Sequence, residues 1–343
     1  MLARPMPRAD RTVTVVGLGT RGLAGGMRDV DLGAAARVVP AAIDVGVTLV
    51  DVAPGWGESL RVTGEAVRAL RARDRVCVAC LVPAAAASVA VARAQPPAYV
   101  QRTVEDALRA LRLDAVPLAW LGGWRDAWLD DRAWPELHGT LLRLVREGKV
   151  LRWGVVAPDG APGDAVRALA EPWVAAVSVR ASLFDRTAAE ALAPAAQAAG
   201  VALVAREPLA GGALGGDVGP GVRWPPGDER AAWSPARLAA IVPDLARLAA
   251  FVTRSPAAAA ATDAGRALLD GLRRGEDVTC ASVAELAVRA VVGAAGVTAA
   301  VVGTRRLEHL REAVACADGG ALSPRIAAAL DARRWGEGWY GEA

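Results

Sequence analysis

Along the chain, short runs rich in β-branched residues alternate with longer Ala/Leu/Arg stretches in which apolar positions return every three or four residues. Each such pair reads as an extended strand followed by an amphipathic helix, the βα unit of a parallel sheet. The pattern predicts strands at Val13–Leu18, Thr48–Val52, Val76–Val82, Val116–Leu121, Val150–Val156, Ala175–Val179, Val201–Ala205 and Ala299–Val302. It predicts helices at Leu32–Val45, Ser59–Ala72, Pro97–Leu113, Ala133–Glu147, Ala161–Ala170, Thr187–Ala199, Ser282–Val292 and Leu307–Ala317. Eight units with no break in composition favour one closed (β/α)8 barrel over residues 1–343, of TIM-barrel type, rather than two doubly wound domains.

The seventh connection, 211–280, is far longer than the others. It opens on the Gly/Pro-rich stretch Gly211–Glu229, expected as a mobile loop beside the barrel mouth. Helical spacing follows at Pro235–Arg254 and Thr262–Arg274, around the alanine run Ala257–Ala261. The segment 322–343 should hold a post-barrel helix, Pro324–Arg334, and a tail.

Composition narrows the function. Hydrophobic residues make up 53% of the chain and mean hydropathy is +0.27, which excludes a disordered polymer. The 40 basic and 37 acidic residues are interspersed, with no basic block of the kind that grips nucleic acid. No apolar run approaches the ~20 residues of a membrane span, and the N-terminus lacks a signal-peptide core, so a soluble cytoplasmic protein is expected. Cys77 and Cys80 form a CxxC within a strand, where a separation of three points the side chains to opposite faces. They read as buried strand residues, and no metal site is expected. The chain has one lysine, two tyrosines, two histidines and no asparagine, so few groups remain for acid–base work.

The run Val45–Val50 stops at Asp51 and enters the turn Val52–Ser59, which is how a barrel strand delivers a carboxylate to a pocket. The string DVAPGWGES resembles the aldo-keto reductase pattern of an acid followed five residues on by Tyr. Further strings resemble the same family in order: Gly17–Gly26, Ala107–Leu121, Gly148–Val156, Pro208–Gly216 and Val301–Val314. The resemblance implies a barrel of aldo-keto reductase type that transfers a hydride from NADPH to a carbonyl. It further implies a Tyr acid, a Lys that lowers the Tyr pKa, an Asp paired with the Lys, and a His that orients the substrate.

Carried over residue by residue, the Asp is Asp51, the Tyr position is Trp56, the Lys position is Cys80 and the His position is Gly122. An indole N–H does not titrate, so Trp56 cannot replace a phenol as proton donor. For the cofactor, the resemblance places Gly19 and Thr20 at the nicotinamide pocket and Val156, Ala157 and Ser178 where the carboxamide's partners stand. Arg206 takes the place of a stacking aromatic. Leu209 and Gly211 lie on one cofactor loop, and Gly303, Thr304, Arg305, His309 and Glu312 on the other. NADP(H) is thus the implied cofactor, with binding expected to be weak or lost. Asp51 could instead pair with Arg21, Arg180 or Arg206. Three readings stay open: a barrel without ordinary reductase chemistry that takes a small-molecule ligand in its mouth, an active oxidoreductase using water, Asp51 or Tyr340 as donor, and a partner-binding protein.

Overall fold

A computed structural model describes residues 1–24, 32–86, 93–219, 221–224, 228–249, 251–252, 280–318, 322–337 and 339–340. A hairpin of β1 (Ala3–Met6) and β2 (Arg11–Thr14) precedes the barrel strands β3 (Val16–Gly19), β4 (Leu49–Val52), β5 (Cys77–Val82) and β6 (Val116–Leu121). They are followed by β7 (Val150–Val156), β8 (Val174–Arg180), β9 (Ala202–Arg206) and β10 (Val297–Gly303). The eight form a closed barrel in the order β10-β3-β4-β5-β6-β7-β8-β9, with every neighbour parallel.

Alternation along each strand sorts the side chains into two layers. Leu49, Cys77, Ala79, Leu118, Trp120, Ala176, Val204 and Ala299 fill the barrel interior. Val50, Val52, Val78, Cys80, Ala119 and Leu121 face the helices outside it. The CxxC cysteines therefore lie on opposite sides of the sheet, as expected from their spacing. One large side chain needs a special neighbour: a Cβ at Gly154 would lie 2.4 Å from the Trp120 ring, so only glycine on β7 leaves room for that indole in the interior.

The eight strand positions expected from the sequence are all occupied, with differences at the margins. The run Val13–Leu18 is interrupted at Val15: Val13 belongs to the hairpin, and β3 starts at Val16. The hairpin is tied to the helix-to-strand end of the barrel by Arg4 Nη1, which donates to the carbonyls of Val292 (2.8 Å) and Val297 (2.5 Å). Arg8 Nη1 does the same to Glu171 (2.8 Å) and Val174 (3.0 Å). The expected helix 32–45 is two pieces, Leu32–Ala36 and Val38–Asp44, because Pro40 cannot donate to Ala36 and crowds its carbonyl. Ala161–Ala170 is two 3-10 turns, Pro162–Ala165 and Arg167–Ala170. The Asp126 carboxylate divides them by accepting from the backbone N–H of Arg167 (2.7 Å) and Ala168 (3.3 Å).

A second apolar cluster joins the insertion to the tail. Ile241 and Leu248 of helix Pro235–Ala249 pack with Leu183, Phe184, Ile326, Leu330, Trp335 and Trp339. The buried Asp244 carboxylate holds the tail there, accepting from Gly336 N (2.8 Å), Arg333 Nη2 (2.8 Å) and Arg247 Nη1 (3.2 Å). The expected helix Thr262–Arg274 lies outside the described residues. Among the described residues no helix is long and apolar enough to cross a membrane.

Two glycines in helices give a paired test of the packing. A Cβ at Gly64 would sit 1.9 Å from the Leu111 carbonyl oxygen, whereas one at Gly139 meets nothing within 4 Å. Gly64→Ala should cost about 1–3 kcal/mol through forced separation of the helices. Gly139→Ala should stabilise by about 0.5–1 kcal/mol through helix propensity. Urea unfolding followed by tryptophan fluorescence reads both, and equal effects of the two would refute the close helix contact.

Candidate functional site

At the strand-to-helix end of the barrel, Asp51 is half-buried and its Oδ1 accepts the Trp120 Nε1 proton at 3.0 Å. Its backbone carbonyl accepts from Thr20 N (3.1 Å) and Thr20 Oγ1 (2.7 Å). Thr20 Oγ1 is also 2.6 Å from Ser59 Oγ. The loop after β3, the strand end and the turn 53–58 are thus joined at one residue. Loss of hydration raises the Asp51 carboxyl to about 7, opposed by the Trp120 hydrogen bond and by the charge of Arg206. No hydrogen bond or ion pair joins Asp51 to Arg21, Arg180 or Arg206. Arg21 pairs instead with Glu229 (3.1 Å), closing the first loop onto the end of Gly211–Glu229.

The ends of β8 and β9 carry Arg180 and Arg206 side by side. One carboxylate serves both: Asp159 lies 3.2 Å from Arg180 Nη1 and 2.6 Å from Arg206 Nη2. Arg180 Nε also meets Asp185 at 3.3 Å, and Arg206 Nη2 donates to the Ala157 carbonyl at 3.1 Å. The tail folds back here, and the Tyr340 ring covers Arg180 with its centroid 3.9 Å from the guanidinium carbon. Burial pushes the Tyr340 phenol above its ordinary pKa, and its hydroxyl is 3.5 Å from Ser182 Oγ.

The other expected site residues divide in two. Trp56 sits half-exposed in the turn after β4, and its neighbour Gly57 (φ +48°) is held so close to Leu23 that a Cβ would be 2.5 Å from the Leu23 carbonyl. Gly19 and Ser178 are buried, and Ser178 O accepts from Ala157 N at 2.9 Å. On the last loop Gly303 is exposed, and Thr304 Oγ1 caps the turn by accepting from Arg306 N (3.2 Å). His309 and Glu312 are exposed on helix Leu307–Asp318. Facing that loop, the Asp228 carboxylate grips Arg230 through Nε (2.9 Å) and Nη2 (2.8 Å), and the charge of Arg305 also reaches it. Leu209 packs at the seam of the two apolar clusters, and Gly211 turns the chain with φ +68°.

Cys80 is placed away from the site. Asp51 is in register with Ala79, so the interior side chains of β5 are Cys77, Ala79 and Leu81, and Cys80 packs among the helices outside. Burial, then the Asp51 charge, pushes its thiol up to about 12, which leaves no thiolate to react. Leu81, one residue on, is the side chain on the mouth side of the strand. Gly122 has closed over the place of a side chain: a Cβ there would be 2.8 Å from the Val82 carbonyl. The buried Gln95 fastens the two loops together, donating to Gly122 O (2.6 Å) and accepting from Ala85 N (3.2 Å). A cavity of about 430 Å³ lies elsewhere, on the flank between helices Thr187–Ala199, Val283–Gly293 and Pro324–Asp331.

The sequence profile described as "Aldo/keto reductase family" matches residues 15–333. The chain belongs to the aldo/keto reductase family. Solved structures agree in fold along nearly the whole length. An aldo-keto reductase from Bacillus halodurans in its holo form shares 19% identity, with 97% of this chain and 96% of that one covered and a TM-score of 0.67. A glycerol dehydrogenase from Gluconobacter oxydans shares 23% over 96% and 94%, with a TM-score of 0.66. An aldo-keto reductase from Klebsiella pneumoniae, in complex with NADPH, shares 24% over 97% and 98%, with a TM-score of 0.64. A comparison with curated protein sequences gave no match.

In this aldo/keto reductase barrel the acid at the end of β4 is held by an indole N–H, that of Trp120. The sequence offered one signal of it that was missed: glycine inside strand β7 marks a bulky neighbour, and that neighbour is Trp120. Asp159, which joins Arg180 and Arg206, lies in a loop that carries no local pattern.

The Asp51 carboxyl titrates at about 7 in the fold against a reference of 3.8. A raised acid destabilises the fold progressively as pH climbs from the unfolded to the folded pKa, and by a constant amount above it. Asp51→Asn, which can still accept from Trp120, should therefore gain stability over the parent between about pH 4 and pH 7 and hold that gain at higher pH. Thermal unfolding of both proteins from pH 4 to 8 measures it, and a gap that does not widen with pH would contradict the raised pKa.

Proposed function

We propose that this chain has lost the ordinary NADPH-dependent carbonyl reduction of its family and keeps the barrel mouth as a small-molecule site. The observation that carries the reading is the partner of Asp51, an indole N–H rather than an amine. The remaining candidates are engaged elsewhere. Lys149 pairs with Glu105 (2.8 Å) and Glu147 (2.9 Å) before β7, at the far end of the barrel. His138 stacks on Trp134, His309 is exposed, and Tyr99 lies in helix Pro97–Leu111. Tyr340 reaches the mouth, but its phenol is a weaker acid than usual. General acid catalysis typically contributes ~10²–10⁴-fold, so its loss alone makes ordinary reduction very slow.

The residues present do not fit a nicotinamide. Val156 and Ala157 offer no side-chain donor or acceptor to a carboxamide, and Arg206 reaches across to the Ala157 carbonyl. Each hydrogen bond lost there is worth roughly 1 kcal/mol. Arg305, Glu312 and the Gly211–Gly216 loop offer a charged and backbone-rich site for an adenosine phosphate end, so binding would rest on that end alone. A second reading is favoured by one feature: with a carboxyl at about 7, Asp51 keeps a protonated fraction at neutral pH. On that reading Asp51 supplies the proton that the absent Tyr would give.

NADPH oxidation with a panel of aldehydes, ketones and quinones separates the two. The first reading expects no rate above the protein-free background. Turnover that disappears in Asp51→Asn would establish the second, and turnover that survives in Asp51→Asn would refute both. Calorimetric titration should give NADP(H) dissociation constants weaker than ~1 µM, with little difference between the oxidised and reduced forms. Tight binding with a clear redox preference would show an intact nicotinamide site.

A further inference from the structure

The barrel interior opens to water at one level. Leu49, Ala79 and Val204 point into the barrel and are closed to solvent, and Gly154 leaves the space that the Trp120 ring fills. Two residues further along the same strands, on the same face, stand Asp51, Leu81, Arg206 and Val156, all half-buried. Trp120, 3% exposed, is the floor beneath them. It donates to Asp51 Oδ1 at 3.0 Å and is in register with Leu81 on the neighbouring strand. An acid, aliphatic side chains and an indole floor thus share one accessible place.

Charge there is unbalanced. Arg180 and Arg206 are matched by Asp159 and Asp185 at 2.6–3.3 Å. Among the described residues Asp51 has no cation within ion-pair distance, and its Oδ2 accepts no hydrogen bond. Glu207, whose charge is felt at Tyr340, and Arg237, which feels Arg180, complete the rim. The acids Asp51, Asp159, Asp185 and Glu207 then outnumber the guanidiniums of Arg180, Arg206 and Arg237 by one. The groups that interact with Asp51 through charge are Arg206, and the thiols of Cys77 and Cys80, which burial pushes up to about 12 and so keeps neutral. Short of water and held by a neutral donor, the Asp51 carboxyl is raised to about 7. A ligand that brings a cation to such a carboxylate stabilises its ionised form.

We propose that the mouth binds a small primary amine as its monocation, the ammonium on Asp51 Oδ2 and the apolar part against Leu81 and Val156. An excess of one negative charge suits a single cation, and an ammonium is compact enough to meet a carboxylate held beside the indole floor. The proposal rests on the mouth being a small-molecule site. It stands apart from the loss of carbonyl reduction, because NADPH turnover would overturn that loss and leave the amine site intact.

Calorimetric titration of the unaltered protein with benzylamine, its neutral twin benzyl alcohol, and benzoate provides the test. At pH 8, where Asp51 is ionised, benzylamine should bind saturably and at least about tenfold tighter than benzyl alcohol, the least that one charge-assisted hydrogen bond supplies. Benzoate should bind more weakly than either. Because the ammonium needs the carboxylate, benzylamine affinity should fall about tenfold for each pH unit below 7, and binding near pH 7 should release protons. Asp51→Asn should remove both the preference for the amine and its dependence on pH. Benzyl alcohol or benzoate binding as tightly as benzylamine would overturn the proposal and leave the mouth a small-molecule site. Affinity that is flat from pH 5 to 8, unchanged affinity in Asp51→Asn, or no saturable benzylamine binding at ~10 mM would also overturn it. The ligand comparison and the pH series use the unaltered protein, so they decide even where the variant fails to fold.

Discussion

The hydrogen bond from Trp120 to Asp51 fixes what the barrel mouth can do, and the rest of the site follows from it. An indole fits inside an eight-stranded barrel only where an adjacent strand gives up its side chain, which Gly154 does. Once there, its N–H needs an acceptor, and the acid at the end of β4 is that acceptor. The carboxylate is thereby held by a neutral donor. A neutral donor opposes burial less than a cation does, so the carboxyl stays raised. A charged amine in the same place would lower the acid and also lower the pKa of a neighbouring phenol. Neither effect is available here.

The loops close around this pair. Gln95 ties together the two loops that follow β5 and β6, and Gly122 lies too near Val82 to carry a side chain. On the opposite rim Arg180 and Arg206 share Asp159, and the tail brings Tyr340 over Arg180. The tail is held there by Asp244 and by packing of Trp339 against Phe184 and Trp233. This rim of the mouth is built from guanidinium groups, acids and aromatic rings.

Much of the fold was legible in the sequence because it rests on period. Alternation of short extended runs with helical spacing gave all eight barrel strands, and the acid at Asp51 followed from the strand that ends there. Register was harder to read. Cys80 and Leu81 are adjacent in an apolar run, and only the pairing of Asp51 with Ala79 shows which of them faces inward, because a slip of one residue exchanges the two faces of a strand. The break at Val15 was hidden for a similar reason, since Val13–Leu18 reads as one run although it crosses from the hairpin into the barrel. The partners of Asp51, Arg180 and Arg206 are long-range pairings, and no local pattern announces them.

The account stands most directly on the state of Asp51 as felt by Trp120. In a ¹H–¹⁵N spectrum of the eleven tryptophan indoles, the signal lost in Trp120→Phe should shift with pH along a single titration centred at about 7. The shift should run toward a stronger hydrogen bond as the carboxyl ionises, and it should be absent in Asp51→Asn. A Trp120 signal that is flat from pH 5 to 9, or that titrates near the ordinary carboxylate value, would contradict the account.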